Sequence, residues 1–155
     1  MGPLAFAIQG FENATTNYVK DLEALTDDQI LQSAGGSARP AVDFTYEVAI
    51  INARVGARIA GVEPPEFPSA EGWVTAPDEY RTKAAIIEFF QSTNASVLEA
   101  AKALTEEDGN RLIPFYTGDR PIYSVLGFVT MHTAYHDAQL NFIQSLAGDL
   151  SMHWG

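Results

Sequence analysis

The chain has 155 residues, 46% hydrophobic and 19% charged, with 20 acidic residues against 9 basic and a formal net charge of -11. This is a globular rather than a disordered composition, and the length suits a single domain, residues 1–155, around one sizeable core. The acidity excludes an ordinary nucleic-acid or anionic-membrane binder, because such affinity rests on clustered Lys and Arg, and the basic residues here are scattered.

The elements read as helices almost throughout. Over residues 3–24, Ala7, Phe11, Ala14, Tyr18 and Leu22 recur at spacings of three and four, the period of one helix face, and Pro3 suits a first helical turn. LTDDQILQSAGG reads as a short second element, opened by a capping box of Thr26 and Gln29 and ended by Gly35–Gly36. RPAVDFTYEVAIINARVGARIAG is the next long helix, with Pro40 in its first turn, Asp43 favourable near its N-terminus and Gly61 as its stop. Residues 62–76, with EPPEFP, form a connection long enough to act as a lid or packing loop. A third long helix is expected to start at Pro77, with acidic residues in its first turn and Lys102 near its end. TEEDGNRLIPFYTGDR is a second loop, in which Pro114 weakens any strand. The last long helix runs from Pro121 to about Leu146 and closes at Gly148, leaving DLSMHWG as a frayed or surface-packed tail. The expected fold is all-α, a four-helix bundle with long loops after the second and third long helices.

Two of the three histidines, His132 and His136, lie four apart in MHTAYHDAQ. Four residues are ~400° of helix, so both project from one face. Val125, Phe128, Val129, Leu140 and Ile143 share that stripe. Two imidazoles in an apolar stripe need partners: either each is satisfied separately, or one divalent ion serves both. Thr133 stands where a metalloprotease helix would carry glutamate, so that mechanism is not supported. Cysteine is absent, which removes thiolate ligands, disulfides and cysteine nucleophiles. Glu47 is a carboxylate on the apolar face of Phe44 and Ile51. It needs a cation, and either Arg54, seven residues on, or a metal would serve. Asp43 would hold a ligand in place or cap the helix, and Gln139 would line a pocket or finish a polar edge. Tyr46, Tyr135 and Asn17 are pocket candidates that core or surface packing explains equally well. His153 is read as a solvated tail residue. The opening MGPLAFAIQGFENATT lacks the basic start and apolar length of a secretory signal, and no apolar run spans a bilayer, so a cytoplasmic location is expected.

HTAYHDAQLNFIQSLAGD resembles the last helix of the DinB/YfiT-like superfamily of metal-binding four-helix bundles, and PAVDFTYEVAIINARV resembles the helix that supplies that family's first ligand. The resemblance spans nearly the whole chain. It implies that His132 and His136 are metal ligands and that Glu47 occupies the first ligand position, normally a histidine, giving a Glu–His–His site. It further implies a zinc or nickel ion that activates water or a thiol; the donor set itself also admits iron as a lesser option. A homodimer and a small-molecule substrate or thiol cosubstrate are also implied. Three functional readings follow. The first is a metal-dependent hydrolase or thiol-dependent transferase. The second is a non-catalytic binding or scaffold protein with a structural metal. The third is an Fe(II) oxygen-activating protein, since two histidines and a carboxylate also form its triad.

Overall fold

A computed structural model describes residues 1–68 and 71–154. Four long helices form the bundle: α1 (Pro3–Ala24), α3 (Ala41–Ala60), α4 (Lys83–Lys102) and α5 (Ile122–Leu146), with a short α2 (Asp27–Leu31) between the first two. Each long helix buries an apolar stripe. Leu4, Phe11, Tyr18 and Leu22 do so on α1, and Val125, Leu126, Val129 and Leu140 on α5. Helix α1 packs along α5 and α3 along α4, while looser α1–α4 and α3–α5 contacts close the ring. Gly56 lets α3 approach α4, because a Cβ there would lie 3.0 Å from Val97 Cγ2. Gly61, at φ 74°, takes the left-handed conformation that ends α3.

The core falls into two apolar clusters. One gathers Tyr18, Phe44, Ile86, Phe90 and Leu140. The other gathers Phe11, Ile51, Val55, Val97 and Val129. Thr15, Asn94 and Thr133, all buried, lie along the chain between the residues of the two clusters, and buried Asn52 follows directly on the step from Ile50 of the first cluster to Ile51 of the second. The candidate ligands, Glu47 on α3 and His132 and His136 on α5, fall near this same level.

Several boundaries differ from the sequence expectation. The capping box at Thr26–Gln29 is present, but α2 ends at Leu31 rather than at the glycines, because Gln32 is already extended. The helix expected from Pro77 is split: a 3-10 turn, Asp78–Tyr80, is followed by α4 from Lys83, capped by Thr82. The acidic residues therefore sit on the separate turn, and the first turn of α4 carries none. Residues 112–113 and 120–121 form a small antiparallel ladder, β1 (Leu112–Ile113) and β2 (Arg120–Pro121). Pro114 does what its missing N–H dictates and ends β1 after two residues. The tail is packed: Trp154 donates its indole N–H to Asp21 at 2.6 Å and His153 pairs with Asp149 at 2.8 Å.

Candidate metal centre

Helix α5 presents His132 and His136 one turn apart toward α3, and α3 brings Glu47 to meet them. One ligand atom from each of the three lies within 4.8 Å of the others. Glu47 Oε1 is 3.8 Å from His132 Nε2. Aromatic rings hold both imidazoles: Phe44 stacks on His136 with centroids 5.3 Å apart, and Phe128 lies parallel to His132 at 6.0 Å. The two imidazoles themselves meet edge to face at 4.8 Å.

The protonation state suits metal binding. Burial is the main cause that lowers the His132 pKa, against the opposing charge of Glu47. Burial likewise takes His136 down to about 4, although its hydrogen bond to Gln139 acts the other way. Both rings are therefore neutral at pH 7 and carry the lone pairs a metal requires. The bond between His136 Nδ1 and Gln139 Oε1, at 2.8 Å, sets the tautomer, since only a protonated Nδ1 can donate to a carbonyl oxygen. Nε2 of His136 is then the free acceptor. Among the described residues, neither ring nitrogen of His132 makes a hydrogen bond, and its Nδ1 is buried without a partner. A ring left open in this way, beside a second neutral imidazole and a carboxylate, is a donor set that fits a divalent ion.

The carboxylate of Glu47 has two roles at once. Oε1 faces His132 and Oε2 is paired with Arg39. Arg54, the arginine weighed as a partner from the sequence, instead donates to the carbonyl of Pro65 in the connection after α3. Arg39 reaches Glu47 because it precedes Pro40. The proline ring keeps the preceding residue out of helical conformation, so Arg39 stays outside α3 and its side chain returns two turns along it. The guanidinium also lies over the Trp73 ring, 4.5 Å from its centroid.

A cavity of about 290 Å³ opens beside the three candidate ligands, walled by Arg39, Trp73, Tyr135 and Gln139. Trp73 and Tyr135 are largely exposed, so its rim reaches solvent. Trp73 belongs to the connection after α3, and its ring lies against Arg39. Asp43 pins that connection by accepting the Ala76 N–H at 2.9 Å and the Arg81 guanidinium at 2.7 Å. Asp43 thus anchors the loop, and among the described residues its side chain makes no hydrogen bond to Glu47. Tyr46 stacks in a cluster with Tyr80 and Phe89. Gln139 does line the cavity and hold His136. Arg39 and Trp73 were not singled out from sequence; the Arg–Pro step at a helix entrance was the available signal for the first, and nothing local announced the second.

The family model described as the DinB superfamily matches residues 11–140, and the chain belongs to that superfamily. Solved structures agree on the fold. A DinB-like protein from Bacillus cereus is 18% identical with a TM-score of 0.68, over 92% of this chain and 91% of that one. A DinB-like protein from Bacillus subtilis is 12% identical with a TM-score of 0.70, over 94% of each. A conserved protein from Enterococcus faecalis is 13% identical with a TM-score of 0.71, over 94% and 97%. No curated protein matches the sequence. Among the described residues, no helix is long and apolar enough to cross a membrane.

Proposed function

We propose that the protein is a metal-dependent enzyme that holds one divalent ion, zinc or nickel, through Glu47, His132 and His136 and acts on a small molecule as a hydrolase or thiol-dependent transferase. The observation that carries this reading is the convergence of two neutral imidazoles and a carboxylate within 4.8 Å beside a solvent-reaching cavity. When bound, the ion would supply Lewis-acid activation of water or a thiol by lowering its pKa. The chain does the rest. Gln139 fixes the His136 tautomer, Phe44 and Phe128 hold the rings, and Arg39 orients Glu47 so that Oε1 faces the histidines. A purely structural zinc would take a fourth protein ligand, and among the described residues only three cluster here. That favours catalysis over the scaffold reading.

The test is elemental mass spectrometry on tag-free protein beside Glu47→Ala and His132→Ala. Near-stoichiometric zinc or nickel, lost from both variants, supports the reading, and hydrolytic and thiol-transfer assays on the loaded protein then distinguish the two reaction types. Stoichiometric iron would redirect it to oxygen activation. A wild type that takes up no divalent ion overturns it.

A further inference from the structure

Arg39 is placed for more than holding Glu47. Its guanidinium is clamped on two sides, by the Glu47 carboxylate and by the Trp73 ring. Among the described residues, its Nη1 bond to Glu47 is its one hydrogen bond, which leaves the other N–H donors of a rigid, planar fork unused. The same side chain lies in the wall between two adjoining recesses. One is the cavity beside the candidate ligands. The other, of about 250 Å³, is lined by Ala34, Phe44, Phe142 and Ile143, with Ala38, Arg39 and Gln139 on the shared side. A fixed cation therefore stands at the junction of a polar chamber and an apolar one.

We infer that the site takes a small amphipathic carboxylate, whose head accepts hydrogen bonds from Arg39 next to the ion position and whose apolar body lies against Phe44, Phe142 and Ile143; this rests on the metal-centre reading above. A planar carboxylate matches the free edge of a guanidinium, which grips it through paired N–H donors. A single negative charge suits the surroundings. Apart from Arg39, no charged residue among those described lines the apolar recess, so a second carboxylate on the ligand's body would have no partner there, and a chain of net charge -11 repels a dianion at long range. The apolar recess excludes a bare small anion as the best ligand, because nothing would then fill it. Clamping by Glu47 and Trp73 lowers the ordering cost of the arginine, which is the usual source of affinity in a pre-formed site.

The experiment is calorimetric titration of zinc-loaded wild type, Arg39→Gln and Phe142→Ala with phenylacetate, phenylacetamide and acetate. Wild type is expected to bind phenylacetate at least about tenfold more tightly than phenylacetamide or acetate. Arg39→Gln, titrated with zinc in enough excess to fill a site whose Glu47 is no longer held, should lose the preference over the amide, and Phe142→Ala should lose the preference over acetate. Equal phenylacetate binding by wild type and a zinc-retaining Arg39→Gln overturns the proposal, since the ion alone would then hold the head group. A wild type that binds no zinc overturns the metal reading instead. The same titrations on metal-free protein then decide the anion site, because Arg39, Trp73 and the apolar recess are present without the ion. A lack of Arg39 dependence there overturns it as well.

Discussion

His136 and Asp137 are neighbours on α5, yet they belong to two opposite kinds of polar cluster. His136 joins Glu47 and His132 beside a cavity, and that cluster has lone pairs to spare. Asp137 turns toward α1 and lies against Asp21, which accepts from Asn141 at 2.9 Å, Gln144 at 3.2 Å and Trp154 at 2.6 Å. There the protein supplies donors to Asp21 and the tail lies over them, while among the described residues Asp137 Oδ1 stays buried without a hydrogen bond. Acidic and polar residues buried at one level of a bundle thus become a site or a staple according to whether their partners come from the chain. Burial, then the neighbouring Asp21, raises the Asp137 pKa to about 8, so at neutral pH Asp137 is mainly a neutral carboxylic acid.

The largest effect should come from breaking the closed cluster. Asp21 is fully buried, and Asp21→Ala strands three donors, which should cost about 3 kcal/mol or more in urea unfolding. Zinc content of the variant that remains folded should be unchanged. Breaking the open cluster should do the reverse. Glu47→Ala should weaken zinc binding by about 100-fold or more while moving the metal-free unfolding midpoint little, as competition with a chromophoric chelator would show. Gln139→Leu should weaken zinc by about tenfold, because the His136 ring is no longer held in one tautomer. The smallest effect sharpens the contrast through pH. A carboxyl whose folded pKa is raised contributes stability that is fully present below its unfolded value, near 3.8, and is lost as pH climbs through about 8. Wild type should therefore lose urea stability between pH 5 and pH 8.5 through this group, and Asp137→Asn should flatten that part of the profile.

Much of the centre was legible in the chain because its signals are local. The spacing of His132 and His136 defines one helix face whatever else the fold does. Glu47 stood out as a charge on the apolar face of Phe44 and Ile51. Its partner was not legible: Arg54 and Arg39 are seven and eight residues away on opposite sides, and only the Arg39–Pro40 step distinguishes them. The split at Pro77 was hidden for a similar reason. Proline opens a 3-10 turn as readily as an α-helix, and Thr82 offered the better cap five residues later. Asp43 looked like a helper to Glu47 one turn away, but a longer-range partner, the Ala76 N–H, claimed it.

The sequence by itself determined the four long helices, the capping box at Thr26, the stop at Gly61 and the inward face of the histidine pair, because periodicity, caps and breakers act within a few residues. Only the tertiary structure decided that Arg39 rather than Arg54 pairs with Glu47, that Trp73 covers Arg39, and that Asp137 leaves the histidines for Asp21, 116 positions earlier. Those outcomes depend on which surfaces meet when α1 packs on α5 and when Trp73 and Ala76 meet Arg39 and Asp43, and no local propensity encodes a contact between residues so far apart in the chain.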